Sequence, residues 1–344
     1  MEADLDFLND LRPQPEAETA TEAIIRLIDD DKVVPIVGNA LVNELMIGSH
    51  QALVNRWAQM IHYPVINQGH KLARMSQFAS ISQAGDGTAN ETRIKYRYVE
   101  FLKAVLQAKA KRDPLIEQAR RDDAEAEAAH LSVSTLAKRF NYPPIDQGAV
   151  NPLLLLAALP LSIFVTTAFH ETLEEALRTK TAHPTDVRSE LFRWRDGLDS
   201  IPSVFEEEPD YVPTPQQPLV YHLHGLDRYP ESLVLTEDDH LDFLTNIFRE
   251  GRNLHPRVRR ALTESSLVLI GYHPREWDFR TLFRGVIRLR PQGILKDNVY
   301  IQVDRSDAQM ADYLEKYMRQ SFFAVEWCEP ATFIRELYEG WQAR

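Results

Sequence analysis

Small and polar residues follow four short apolar segments of this chain, at the point where each segment ends. These groups read Gly38-Asn39-Ala40, Thr166-Thr167-Ala168-Phe169-His170, His222-Leu223-His224-Gly225 and Gly271-Tyr272. A turn of small residues lets backbone N–H groups approach a phosphate, and a histidine titrates near neutrality. The pattern therefore indicates a phosphate-binding turn and an acid–base group at the ends of neighbouring strands.

Each of these groups also has a structural interpretation. Gly38 is a common kind of turn residue after a strand, and Thr166 or Thr167 could cap the helix that follows. His222 and His224 alternate along one segment, so we expect both side chains to point to the same face. His224 lies nearer the carboxyl end, where it could act as a general base or as a structural histidine in a polar crevice.

Polar groups also stand at later helix starts and strand ends. Thr236 could cap a helix whose first turn carries two aspartates. Asp278 and Arg280 lie near the start of another helix. Asp304 follows a strand, where it could bond a ribose hydroxyl or cap the next helix.

Short apolar strands alternate with amphipathic helices through most of the chain. The predicted strands are Val33–Val37, Ile163–Thr167, Leu219–Leu223, Leu267–Ile270, Val299–Val303 and Phe322–Trp327. The predicted helices of the alternating part are 19–30, Phe169–Arg178, Asp238–Phe248, Arg275–Arg288 and Ala308–Arg319. This alternation predicts an α/β fold with a parallel sheet flanked by helices, and such sheets bind ligands at the carboxyl ends of their strands.

The predicted organisation has four parts. Residues 1–18 form a flexible acidic tail, 19–40 with 151–330 form the α/β core, 41–150 form a mainly helical insert, and 331–344 form a C-terminal helix. Residues 180–217 are rich in proline and predict a long loop with short helical pieces. The insert carries an apolar stripe at helical spacing; its members are Tyr96, Val99, Leu102, Val105 and Leu106.

Composition restricts the class of protein. The formal net charge of −12 disfavours direct binding to nucleic acid, which needs an electropositive face. Cys328 is the single cysteine, so neither an internal disulfide nor a cysteine zinc site can form. The first residues lack the features of a signal peptide, and the most apolar run, Pro152 to Val165, is too short to span a bilayer. We therefore expect a cytoplasmic protein.

The order of the motifs is more specific than any one of them. The chain reads strand-GxA, strand-TTxFH-helix, strand-HLHG, VLTEDD-helix and strand-GYxxxxWDFR-helix. This order resembles the sirtuin-like NAD-hydrolase domains of bacterial antiphage defence systems, over roughly Ala23 to Trp327. The resemblance implies a Rossmann-like fold, NAD as the substrate, cleavage to nicotinamide and ADP-ribose, and no metal.

The resemblance also assigns roles to residues. His224 matches the catalytic histidine of the family, which acts on the nicotinamide ribose. The positions implied to bind the dinucleotide are Gly38, Asn39, Ala40, Thr166, Thr167, Phe169, His170, Gly271, Tyr272, Asp278, Arg280 and Asp304. Asn39 departs from the alanine that is usual in the phosphate turn.

Ala168 stands where the family has its catalytic asparagine. Alanine has no hydrogen-bonding side chain, and loss of one positioned polar group costs about a hundredfold or more in rate. Three explanations are open: an engineered inactivating change, which we favour, a natural nucleotide-binding regulatory subunit, or a shifted alignment. A protein deacylase fits less well, because the zinc-stapled deacylases need four cysteines.

An NAD hydrolase without a sensor module needs control from outside its own chain. The resemblance implies a homo-oligomer and allows a partner such as a hexameric translocase ATPase. We expect the apolar stripe from Tyr96 to Leu106 to be the association surface.

Overall fold

The computed structural model describes residues 19–64, 71–83, 91–142, 151–180, 186–250, 254–274, 276–285, 298–302, 305 and 308–344. This part contains the strands β1 (Val33–Val37), β2 (Ile163–Thr166), β3 (Arg188–Leu191), β4 (Leu219–His222), β5 (Ser266–Ile270), β6 (Asn298–Gln302) and β7 (Phe323–Trp327). They form one sheet in the order β3-β4-β2-β1-β5-β6-β7, and every neighbouring pair is parallel. The Rossmann-like α/β fold is therefore confirmed.

Helices cover both faces of this sheet. They are α1 (Ala20–Ile28), α2 (Asn39–Met46), α3 (His50–Met60), α4 (Leu72–Ser82), α5 (Glu91–Ala110), α6 (Gln118–Glu127), α7 (Val133–Arg139), α8 (Pro152–Ala157), α9 (Thr172–Lys180), α10 (Val204–Glu207), α11 (Glu237–Glu250), α12 (Pro256–Glu264), α13 (Trp277–Gly285), α14 (Ala308–Arg319) and α15 (Pro330–Gln342). None of the described helices is long and apolar enough to cross a membrane.

The central strand shows why the sheet strands are continuous apolar runs. All five residues of β1 are buried, because helices pack on both faces. Val34 and Ile36 contribute to one apolar cluster together with α11 to α14. Val33 and Val37 contribute to a second cluster together with α1, α8, α9 and α15. The side chains of β1 therefore point alternately into two apolar cores, and neither face of the strand is solvated.

The chain reverses its direction across the sheet between β1 and β5. From β1 the connections lead to β2 and β4 on one side, and from β5 they lead to β6 and β7 on the other. Open α/β sheets bind ligands at such a switch point, outside the carboxyl ends of the strands. The fold therefore predicts a ligand site at the carboxyl ends of the strands, next to β1 and β5.

The predicted loop 180–217 is wrong in one respect, because it contains the strand β3; the short helix α10 agrees with the predicted short helical pieces. β3 reads Arg-Ser-Glu-Leu and pairs with β4, with Arg188 opposite Leu219. It is an edge strand with partly exposed residues, so its sequence lacks the apolar run that identified the inner strands.

The helix predicted to start at Phe169 begins instead at Thr172. Residues 167–171 form an irregular connection, so Phe169 does not share a face with Leu173. Phe169 packs edge-to-face against Tyr98 of α5, with ring centroids 6.0 Å apart. The connection after β2, formed by residues 167–171, therefore also contacts the helical insert.

The helices of the insert build an apolar cluster of their own. Four members of the predicted stripe, Val99 to Leu106, are buried in it, and only Tyr96, at 51% exposure, faces outward. The expectation that this stripe forms an association surface is therefore wrong, because α5 uses it to pack against its own neighbours. Phe169, Leu233 and Leu235 join the cluster from the α/β core.

Candidate functional site

A cavity of about 600 Å³ lies at the carboxyl ends of β1, β2, β4 and β5. Of the residues predicted from sequence, it is lined by Asn39, Ala40, Thr167, Phe169, His224 and Asp278. These residues come from four separate parts of the chain and meet because parallel strands end at one edge. The structure thus brings six of the fourteen predicted residues to one concave surface.

Two glycines bring the ends of β1 and β5 together at the back of this cavity. Gly38 N donates to Ile270 O at 2.8 Å. A Cβ on Gly38 would lie 2.3 Å from Gly271 O, and Gly271 itself has φ +76°. Both positions therefore need glycine, although neither residue is among those that line the cavity.

The phosphate-binding turn predicted at Gly38 is the start of α2. Gly38 is the N-cap and offers no side chain, and the first turn of α2 has no acidic residue. Asn39 and Ala40 line the cavity. The positive end of the helix dipole thus lies at the cavity wall, where it favours an anion, although the first N–H group, that of Asn39, already donates weakly to Thr167 Oγ1.

The two threonines connect strands and do not cap the helix that follows them, contrary to the capping interpretation. Thr166 Oγ1 donates to Val37 O at 2.9 Å, and Thr167 N donates to Val37 O at 3.1 Å. Thr167 Oγ1 lies 3.1 Å from Tyr272 Oη and accepts weakly from Asn39 N at 3.4 Å. α9 starts too far along the chain for either hydroxyl to reach its first N–H groups.

Ala168 does not line the cavity, although both of its neighbours do. It is 1% exposed and belongs to the apolar cluster that contains Val37 and Leu173. Its backbone N donates to Thr166 Oγ1 at 3.0 Å. The side chain at position 168 therefore faces the core beneath the cavity.

The remaining predicted residues lie behind the cavity or beside it. His170 is buried, with Nε2 3.1 Å from Asn43 Oδ1 and Nδ1 3.1 Å from Thr172 Oγ1. Tyr272 is buried, and its backbone O accepts from Tyr300 Oη at 3.2 Å. Asp304 is outside the described residues, as are Arg275 and the strand end at Val303.

His222 and His224 do not share a face, so that expectation is wrong. β4 ends at His222, the chain bends at Leu223 and His224, and Gly225 has φ +85°. His222 points to α9, and His224 packs against Phe243 of α11 with ring centroids 5.2 Å apart. Strand alternation applies only as far as the strand continues.

His222 forms a buried ion pair with Glu174 of α9. Its Nε2 lies 2.6 Å from Glu174 Oε1, and its Nδ1 lies 3.0 Å from Ala168 O. Burial opposes both charges, but the mutual attraction and hydrogen bonds outweigh it. The pKa of Glu174 is lowered and the pKa of His222 is raised, so the pairing favours the charged form of each group. This pair holds the connection after β2 in place.

His224 is a neutral imidazole in the cavity wall. Its Nε2 is buried and has no hydrogen-bond partner among the residues the structure describes. Burial, followed by the neighbouring His240, lowers the pKa of His224 well below its ordinary value. A neutral histidine with an uncommitted nitrogen can contact a ligand hydroxyl or accept a proton.

The carboxyl groups of the cavity are also shifted toward their neutral forms. Burial is the main cause that raises the pKa of Asp278 to about 7, and Glu276 adds to it. Burial likewise raises the pKa of Glu44 and of Glu276. Partial protonation of Asp278 near pH 7 reduces its repulsion of an anionic ligand.

A second cavity of about 640 Å³ adjoins the first, and the two share Lys71 and His273. It contains Arg280, which the sequence placed in the site, and Arg284. Its aromatic wall includes Tyr313, Tyr317 and Trp327, and Gln302 marks the end of β6. A basic rim with aromatic rings suits a nucleotide base and its phosphates.

Sequence reasoning missed several residues that line the first cavity: His50, Lys71, His240, His273, Glu276 and Trp277. His50 and Lys71 come from the insert, and no motif in the sequence places them at the sheet edge. His240 follows the predicted cap at Thr236, which is confirmed because Thr236 Oγ1 accepts from Asp239 N at 3.1 Å. The signal that could have identified His240 is its position in the first turn of α11, directly after this predicted cap.

No metal site was found within the described ranges, since no three histidine, cysteine, aspartate or glutamate side chains come together as a ligand set.

Residues 162–322 match the family model of the SIR2-like domain. The matched range contains Thr166 to His170, His224, Gly271 and Asp278, and it leaves out β1 and the helical insert. The match supports a sirtuin-like relationship and an NAD-related function in the broad sense. A comparison with curated proteins gives no match.

Proposed function

We propose that this chain binds NAD across the two adjoining cavities and that its site is built for hydrolysis of the bond between nicotinamide and ribose. The observation that carries the proposal is His224: a neutral, uncommitted imidazole in a cavity at the switch point of the sheet. The motif order and the SIR2-like match favour NAD over other ligands of similar size.

The proposed placement follows from the chemistry of each wall. The diphosphate lies at the start of α2, where backbone N–H groups and the helix dipole favour negative charge. The nicotinamide ribose lies in the first cavity beside His224. The adenosine half lies in the second cavity, between Arg280 and the aromatic residues of α14 and β7.

In this proposal His224 engages a hydroxyl of the nicotinamide ribose while water adds to the ribose carbon. The nicotinamide leaves with the electron pair of the broken bond, and the proton lost by the water passes to solvent. Excluding bulk water from the buried wall strengthens these contacts.

Ala168 determines how fast the proposed reaction runs. The side chain of Ala168 faces the core. An asparagine at 168 would therefore either position the connection between Thr167 and Phe169 or reach past this connection to the ribose. The chain as given lacks this amide, and we propose that it is a slow NAD hydrolase. A nucleotide-binding regulatory subunit is the second candidate, favoured by the same alanine and its close packing.

The biological role we propose is NAD depletion in antiphage defence, with control by self-association or by a partner protein. Its support is the motif resemblance alone.

Release of nicotinamide from NAD tests the enzyme proposal. We expect Ala168→Asn to raise turnover by about a hundredfold, and His224→Ala in that background to abolish it. His130→Ala is the matched control, because His130 is exposed and is not among the residues that line the cavity. If the unsubstituted chain and Ala168→Asn both bind NAD without measurable turnover, the regulatory subunit is the better account.

A further inference from the structure

His240 is a second histidine in the wall of the first cavity, and neither the motifs nor the resemblance assigns it a role. Its ring lies beside that of His224, with centroids 5.3 Å apart and planes at 80°. It stacks on Trp277, which also lines the cavity, at 5.8 Å and 23°. Two imidazoles thus stand next to each other at the proposed ribose position.

The contacts around His240 favour one tautomer of its ring. Thr281 Oγ1 lies 3.5 Å from His240 Nδ1 and donates its one proton to Trp277 O at 2.9 Å, with Asp278 O at 3.2 Å. Since this hydroxyl proton is committed to the helix backbone, the oxygen can only accept from the ring. This arrangement favours the tautomer that carries the proton on Nδ1, in which Nε2 is an acceptor.

The position of His240 is held firmly by the start of α11. Asp239 Oδ2 accepts from the N–H groups of Leu235 and Thr236 at 3.0 and 2.8 Å. Asp239 Oδ1 pairs with Lys95 Nζ of α5 at 2.6 Å, and both side chains are fully buried. A contact between the insert and the core thus fixes the turn from which His240 projects.

The charge state of His240 agrees with this arrangement. Burial is the main cause that lowers the pKa of His240 to about 4, and Asp239 opposes the shift in part. The charged and titratable groups next to the ring are Asp239 at the start of α11, Lys95 of α5 and His224 after β4. His240 is therefore neutral at pH 7, as an acceptor requires.

We propose that His240 Nε2 accepts a hydrogen bond from a hydroxyl of the ligand's terminal ribose and so supplies a polar contact that Ala168 cannot. This inference rests on the proposed NAD site and assigns a residue that selects for that ribose. Among the described residues, Nε2 has no other hydrogen-bond partner. His224 and His240 together would then contact the ribose from adjacent walls.

Calorimetric titration of the full chain with ADP-ribose and with ADP, which lacks the terminal ribose, tests this inference. His240→Phe keeps a ring against Trp277 and removes the acceptor, so we expect about tenfold weaker binding of ADP-ribose and unchanged binding of ADP. Equal weakening of both ligands, or of neither, would overturn the role of His240. If the unsubstituted chain binds no ADP-ribose at all, the proposed function itself fails.

A second measurement does not depend on a folded variant. Nitrogen-15 NMR of the histidine rings should show His240 protonated at Nδ1, with its Nε2 signal shifting when ADP-ribose is added. Protonation at Nε2, or an Nε2 signal that ADP-ribose leaves unchanged while others move, would contradict the inference.

Discussion

The same substitution at His222 and at His224 should affect different properties of the protein. His222→Leu should weaken the fold and His224→Leu should weaken function, although the two residues are two positions apart. The difference arises because pairing with Glu174 favours the charged form of His222, whereas burial favours the neutral form of His224, whose Nε2 has no partner in the described part of the chain.

The magnitude follows from what each substitution leaves behind. Removing His222 leaves Glu174 as an uncompensated charge in the core, and breaking such a buried pair costs about 3–5 kcal/mol. It also removes the hydrogen bond at Ala168 O. Replacing His224 by an apolar side chain of similar size breaks no hydrogen bond at Nε2, so we expect less than about 1.5 kcal/mol.

The loss at His222 should also depend on pH. The folded state raises the pKa of His222, so its contribution is complete below about pH 6.5 and disappears as pH rises through the folded pKa. Glu174 has a lowered pKa, so its contribution is complete above about pH 4.3 and disappears on further acidification. The difference between the unsubstituted chain and His222→Leu should therefore be largest between those values.

Urea unfolding at pH 6 and pH 9 measures both effects, with His130→Ala as the control for an exposed histidine. We expect a large loss for His222→Leu at pH 6, a smaller one at pH 9, and a small one for His224→Leu at both. Equal losses at the two sites, or a loss at His222 that is the same at both pH values, would refute the ion-pair account.

Three further outcomes are expected. Gly271→Ala should destabilise the fold by about 1–3 kcal/mol in thermal denaturation, because φ is +76° and the new Cβ would lie 2.4 Å from Leu41 Cβ; a neutral result would show that the close approach can relax. The free energy of unfolding should fall as pH rises from about 4 to 7, because the raised pKa of Asp278 means that this carboxyl ionises less readily in the folded state than in the unfolded state. Asp278→Asn should remove this fall, and an unchanged pH profile would contradict the shift. Light scattering should show a homo-oligomer at micromolar concentration, and a stable monomer with full activity after Ala168→Asn would contradict control by self-association.

The inner strands and their order of motifs could be predicted from the sequence because burial on both faces leaves a continuous apolar run. β1, β2, β4 and β5 were recognised in this way, and their ends meet at the cavity. β3 was missed because an edge strand is half exposed and reads as Arg-Ser-Glu-Leu. The other edge strand, β7, was predicted because it reads Phe-Ala-Val-Glu-Trp, which is still an apolar segment, whereas β3 offers no such segment.

The site could be predicted only where a motif sits directly on a strand end. Asn39, Thr167 and His224 follow strands and reach the cavity. His240 and Lys71 reach it through the packing of α11 and of the insert, which no local spacing encodes. A motif position at a strand end need not reach the cavity either: the neighbours of Ala168 line the cavity, while its own side chain faces the core.

A crystal structure of the full chain with NAD tests the central claim most directly, because slow turnover should leave the ligand intact. The account predicts the nicotinamide ribose within hydrogen-bond distance of His224, the diphosphate at the start of α2, and the adenosine in the second cavity near Arg280. NAD bound elsewhere, or both cavities empty at saturating NAD, would contradict it.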